Sequence, residues 1–278
     1  MTSAIASEIE RYLLTGETDP YHSAWGGDSF MDRAHRASDD LRGALVAEVS
    51  RRSAGAVVRE LPEPEVLAAL TRQKSEPMVR GLFPRAEQDH VLALVERSVV
   101  FLTPDTVERV LRDESFDHDA WHLANLYLHS VGAPLLGPDA PRLLGLSQET
   151  TCYVTPGYFD DDSPFADFVV HEVAHIFHNC KREQVGLPFT RRREWLLDIA
   201  YQKRETFAYA CEAFARVLER ARRPSDRLEL ADAFGRQFRP GDERVDADEV
   251  SDIVRDAAVR RNGWKVILGR CTPSRSSR

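Results

Sequence analysis

Apolar residues recur along most of the chain at three- and four-residue intervals, the spacing of helices with one buried face. Residues 3–14, 32–52 and 64–74 carry this spacing, separated by the turn formers Gly16, Pro20, Gly26-Gly27 and Pro62. Residues 165–180 hold no Gly or Pro, and on a helical wheel Val169, Val173, Ile176 and Cys180 share one side with Phe177 next to them. Residues 195–221 are strongly helix-forming. There Leu196, Phe207, Ala210 and Phe214 make one face, and Asp198, Tyr201, Glu205, Tyr209, Glu212 and Arg216 the other. Beyond the break at Arg222-Arg223-Pro224-Ser225, residues 227–238 and 246–261 are again helical. Two segments are rich in β-formers: residues 150–155, closed by Pro156-Gly157, and residues 98–103, stopped by Pro104. Residues 264–268 read as a last strand or a docking segment. The pattern predicts a helix-rich α+β fold with a small sheet ahead of the 165–180 helix. Residues 1–90 are expected to form a helical cap or subdomain, and residues 91–278 a second domain.

The chemistry concentrates in that helix. His171-Glu172-Val173-Ala174-His175 places two imidazoles four residues apart with a carboxylate beside the first. On a helix the two rings lie about 40° apart around the axis and about 6 Å apart along it, so both reach one ion at about 2.0–2.1 Å. Glu172 points about 100° from His171, toward a water on the ion rather than the ion itself. With the apolar residues opposite, the helix has a dry back and a histidine front. Asp161-Asp162-Ser163-Pro164 offers N-cap candidates and a first-turn proline, and Asn179 and Gly186 are candidate stops. The plainer alternative is a surface helix whose two histidines are solvated.

A catalytic zinc takes three protein ligands and leaves one position for water. Glu205, 30 residues after His175, is the best candidate for the third, with Glu212 a rival two turns further along the same face. A solvent-paired role is the alternative for either. His178 stands about 10.5 Å along the axis from His171, too far to join both other ligands.

On these residues the chain resembles the HExxH zinc metallopeptidases, the zincins, of the class whose third ligand is a glutamate on a following helix. The likeness covers roughly residues 151–221. Glu205-Thr206-Phe207-Ala208 also looks like the Glu-x-Phe-Ala segment of the anthrax lethal factor group, in which that Glu is the ligand. The 30-residue gap is longer than in the thermolysin type and shorter than in lethal factor, which leaves the subfamily open. The resemblance implies a zincin-like catalytic domain that hydrolyses a peptide or protein substrate by an activated water. Zn2+ is then held by His171, His175 and Glu205, with Glu172 as general base. Tyr209, Tyr201 and His178 are the candidate oxyanion donors, with Tyr209 taken first. Zincins also carry a sheet upstream of the metal helix whose edge strand lines the cleft, which poses the question whether Tyr153 lies on that edge.

A second pair, His118-Asp119-Ala120-Trp121-His122, has the same spacing, with His129 seven residues further on. Asp is one methylene shorter than Glu, and Trp121, Leu123, Leu126, Tyr127 and Leu128 crowd the segment. A packing helix is expected there, with a structural metal site as the alternative.

Composition changes the picture in a few places. With 278 residues, 42% hydrophobic and 29% charged, the chain can bury a substantial core. A net charge of −8 disfavours a general nucleic-acid binder. Lys181-Arg182 and Arg191-Arg192-Arg193 bracket the loop between the two ligand helices, and Arg270, Arg275 and Arg278 mark a Ser-rich tail. Such groups favour acidic substrate residues if they border the cleft. No apolar stretch approaches the length of about 18 residues that spans a bilayer, and the start lacks a signal-peptide pattern. A cytoplasmic protein without membrane partners is expected, although delivery by a specialised secretion system would leave no such mark. Four widely spaced cysteines, Cys152, Cys180, Cys211 and Cys271, are expected to stay reduced, with Cys180 and Cys211 on apolar helix faces. Two other functions fit the same residues: hydrolysis of a non-peptide amide, and a zinc-stabilised sensor or interaction protein without turnover. Glu172 argues against the latter, since a purely structural site needs no base.

Overall fold

The computed structural model describes residues 3–56, 60–142, 145–148, 150–160 and 163–273. Asp161, Asp162, Arg275 and Arg278 lie outside the described residues. The fold is helix-rich α+β. In chain order its elements are α1 (Ala4–Thr15), α2 (Phe30–Ser53), α3 (Pro64–Leu82), α4 (Gln88–Ser98), β1 (Val99–Phe101), α5 (Pro104–Asp113) and α6 (Asp117–Ser130). They continue with β2 (Gly145–Gln148), β3 (Thr151–Val154), α7 (Phe168–Asn179), α8 (Arg204–Arg220), α9 (Pro224–Gln237), α10 (Ala247–Ala258) and α11 (Gly263–Cys271). None of these helices is long and apolar enough to cross a membrane.

The chain divides into two compact units. One comprises Met1–Leu61, Phe101–Leu146 and Thr155–Gly157, and the other Pro62–Val100, Ser147–Val154 and Tyr158–Arg278. The two expected stretches, 1–90 and 91–278, do not coincide with these units, because a cut after residue 90 falls inside α4.

In the first unit α1, α2, α5 and α6 pack around Tyr12, Leu41, Leu45 and Leu126. Arg42 of α2 is 5% exposed and pairs with Asp117 at 2.7 Å. It also donates to the carbonyls of Leu111 (2.8 Å) and Glu114 (2.6 Å), so one buried cation ties the end of α5 to the start of α6. Gly16 closes α1 in the left-handed region at φ +74°, and a Cβ there would lie 2.8 Å from the Trp121 ring.

The second unit holds the candidate chemistry. Asp167 caps α7 by accepting from the Val170 N–H, so the helix starts three residues later than the apolar run implied. Val169, Val173, Ile176, Phe177 and Cys180 are all fully buried, as the wheel predicts, and Phe83 meets Phe177 edge-on at 5.0 Å between centroids. Phe207 and Phe214 of α8 are buried as well, each contributing roughly 1.5–3 kcal/mol. All four cysteines are free and buried. The loop after α7 is fixed by Arg182, a fully buried side chain that forks onto Glu87 at 2.7 and 3.2 Å and donates to the Pro188 carbonyl at 2.6 Å.

Two expectations need correction. Residues 264–268 are not a strand: Asn262 accepts from the Lys265 N–H and starts α11, whose Trp264, Ile267 and Cys271 form a buried stripe at helical spacing. Glycine at 81 lets α3 meet that stripe, since a Cβ there would sit 2.0 Å from Trp264 Cδ1. The sheet order is β1-β3-β2, so Tyr153 on β3 lies on the middle strand and not on an edge. The neighbouring edge strand β2 went unread because Gly145-Leu146-Ser147-Gln148 has a single apolar residue.

Candidate metal centre

Helices α7 and α8 bring His171, His175 and Glu205 together. Their facing atoms form a nearly equilateral triangle: His171 Nε2 to His175 Nε2 3.2 Å, His175 Nε2 to Glu205 Oε2 3.5 Å, and His171 Nε2 to Glu205 Oε2 3.6 Å. Donors held tetrahedrally at about 2.0–2.1 Å from one ion stand about 3.4 Å apart, so the triangle has the dimensions of three sites around a single ion.

The outward nitrogens decide the protonation. Nδ1 of His171 lies 3.0 Å from Glu212 Oε2, and a carboxylate oxygen only accepts, so that nitrogen carries the proton. Nε2 is left as a lone pair. Nδ1 of His178 lies 3.1 Å from Asn179 Oδ1 and donates to it. The other His178 nitrogen, Nε2, then accepts from Nδ1 of His175 at 3.1 Å, which frees a second lone pair at His175 Nε2. With both rings neutral, two lone pairs and a carboxylate oxygen converge with no donor among them, an arrangement satisfied by a cation.

Without an ion the cluster takes up a proton instead: burial lowers the basicity of His171, but the Glu205 and Glu212 carboxylates outweigh it and raise its pKa to about 10, so a proton occupies Nε2 until a cation displaces it. Glu205 is opposed by burial, yet the His171 and His175 contacts hold its pKa well below the carboxylate range. His178 falls to about 3 through burial, then through the charges of His175 and Arg204, and stays neutral.

Glu212 does not compete with Glu205. Seven residues separate them, about 10.5 Å along α8, and an imidazole offers nitrogens on opposite edges. Glu205 therefore faces the Nε2 edge of His171 and Glu212 the Nδ1 edge. The second Glu212 oxygen accepts from the Asp167 N–H at 2.7 Å, so the backing carboxylate is itself pinned to the first turn of α7. Asp167 in turn pairs with Lys74 of α3 at 3.0 Å and accepts from the Tyr158 hydroxyl at 3.3 Å.

Glu172 is buried beside the cluster, and Ser147 of β2 hydrogen-bonds its carboxylate. Burial raises its pKa further than His175 and His171 lower it. Tyr209 stacks edge-on against His171, with centroids 4.7 Å apart, and packs on Phe238. Its pKa is pushed up to about 12 by burial and by Glu212, while the Gly241 backbone hydrogen-bonds its oxygen. The hydroxyl thus keeps a proton to donate.

Several expected residues take other places. Tyr201 is not on the α8 face, because the helix starts at Arg204 and Tyr201 sits 71% exposed in the 3₁₀ turn Tyr201–Lys203. Arg182 borders no cleft, being consumed by Glu87, which also takes Arg193 at 3.1 Å. His178 is buried behind His175 and faces no solvent.

The His118/His122 pair shows what the same spacing does without a third donor. Its Nε2 atoms are 3.0 Å apart, and His118 Nδ1 donates to the Gly16 carbonyl at 3.2 Å. One shared proton from His122 then satisfies the pair, and His122 Nδ1 stays buried without a partner. Among the described residues only His171, His175 and Glu205 converge as three ligand groups. Ser147, Asn179 and the backing role of Glu212 were not foreseen; the only signal was that Glu205 and Glu212 share one helical face.

No protein-family model matches the chain, and no curated protein or solved structure is significantly similar to it.

Proposed function

We propose that the protein is a zincin-like, zinc-dependent metallopeptidase, a reading carried by the three-atom triangle of His171, His175 and Glu205. The small sheet ahead of α7 and the glutamate on the following helix support the likeness to the zincins. When bound, zinc supplies Lewis-acid polarisation of a carbonyl and acidification of a water. The ion would be held by His171, His175 and Glu205. Glu172 accepts the proton of the attacking water at its carboxylate and returns it to the departing amine, a task helped by the burial that raises its pKa. The hydroxyl of Tyr209 donates to the oxygen that gains charge as the carbonyl becomes tetrahedral. Ser147 holds the Glu172 carboxylate in place. Substrates are peptides or proteins, and the four buried free thiols suit a reducing, cytoplasmic setting.

The deciding comparison is zinc content and peptide-bond hydrolysis by wild type and Glu172→Gln. The reading expects equal zinc in both and turnover in wild type alone. Turnover of simple amides but not peptides selects the non-peptide amide hydrolase instead. Zinc in both with no turnover by either across diverse peptides leaves a non-catalytic sensor or interaction protein.

A further inference from the structure

Arg204 opens α8, one residue before Glu205. Other half-buried or buried arginines of this unit are tied down: Arg72 by Glu96, Arg182 by Glu87, Arg216 by Glu219 and Arg227 by the Ala221 carbonyl. Arg204 has no such partner among the described residues; its Nε, like that of Arg216, is shielded from solvent and without a hydrogen bond, but unlike Arg216 it has no carboxylate either. Its guanidinium carbon lies 5.4 Å from the centroid of Tyr201, a ring that is itself 71% exposed.

A guanidinium that loses part of its hydration without gaining an anion is an uncompensated cost to the fold. Stacking on tyrosine orients the planar fork without using its donors, and that fork matches a carboxylate with two parallel hydrogen bonds. The carboxylate adjacent in sequence, Glu205, is committed to the two Nε2 atoms. The fork of Arg204 is therefore left open to an anion from outside the chain.

We infer that Arg204 binds a carboxylate of the substrate, beside the metal centre. This rests on the peptidase reading and narrows it to peptides bearing either a free C-terminal carboxylate or an acidic side chain close to the scissile bond. The exposed Arg191 and Arg192 are the rival source of such a preference.

Three fluorescently labelled pools of degenerate tetrapeptides serve as probes: free C-terminus without acidic residues, C-terminal amide without acidic residues, and C-terminal amide with one fixed aspartate. Anisotropy reports binding to zinc-loaded Glu172→Gln and to zinc-free wild type, each with Arg204 intact or as Arg204→Gln. At least one carboxylate pool is expected to bind about 10–100-fold more tightly than the neutral amide, and Arg204→Gln to remove that difference. Which pool responds identifies the carboxylate. In turnover by wild type, Arg204→Gln raises KM for that pool by a similar factor with kcat nearly unchanged, and Arg204→Lys recovers only part of the loss. Arg191→Gln/Arg192→Gln keeps the preference. Equal binding of all pools, binding of none, or a preference that survives Arg204→Gln overturns the inference. A preference that depends on Arg204 in a protein that cleaves nothing instead sinks the peptidase reading and leaves the carboxylate site standing.

Discussion

Glu212 Oε2 lies 3.0 Å from His171 Nδ1, on the ring edge opposite the nitrogen that faces Glu205. One helix thus presents one carboxylate to each side of a single imidazole. Glu212 fixes the tautomer and raises the basicity of the ligand nitrogen, so Glu212→Ala is expected to weaken zinc binding by about 10–100-fold. Glu212→Gln, which still accepts from Nδ1, keeps most of the affinity. Competition titration with a chromophoric chelator measures both, and equal affinity in wild type and Glu212→Ala would remove the backing role.

His175 is backed differently, by a neutral histidine. His178→Leu leaves the His175 Nδ1–H buried without an acceptor, and a loss of about 10-fold or more in zinc affinity is expected. His178→Gln restores an acceptor carbonyl and should recover much of that loss. A Co2+-loaded absorption spectrum provides a second readout, because reorientation of His175 changes the ligand field while a purely structural defect does not. Identical spectra and affinities for wild type and His178→Leu would refute the relay.

Arg182 and Glu87 form a buried ion pair that anchors the loop after α7. Breaking it with Glu87→Ala leaves the guanidinium buried and unpaired, at a cost of about 3–5 kcal/mol in urea unfolding. Burial works against the Glu87 carboxylate, but Arg182 and Arg193 prevail and hold its pKa below its ordinary 4.5. A depressed folded-state pKa contributes stability that is fully present above 4.5 and lost as the pH falls below it. Wild type should therefore lose stability on acidification more steeply than Glu87→Gln over that range, and parallel curves would show the pair to be inert.

The parts of this arrangement that were legible from residues alone are those governed by helical period. Val169, Val173, Ile176 and Cys180 announced the buried back of α7, and His171 and His175 its front. Glu205 was legible as a ligand candidate because it shares a polar stripe with Tyr209 and Glu212. Period fails at ends and in short strands. Helical period extends the polar face of α8 back to Tyr201, three residues before the helix begins, and β2 is too short and polar to announce itself. Residues 264–268 are β-branched and aromatic in composition, but the Asn262 cap and the Gly81 contact hold them as helix. The division of labour between Glu205 and Glu212 depends on a ring with two edges, a relation between helices that spacing within one helix does not contain.

Everything proposed about function depends on one ion shared by His171, His175 and Glu205. Metal analysis after zinc loading and desalting tests this most directly, on wild type and on His175→Ala and Glu205→Ala variants whose helical content is unchanged. The account predicts one zinc per wild-type chain and loss of that zinc in both variants. Wild type that retains no stoichiometric metal, or variants that retain all of it, would contradict it.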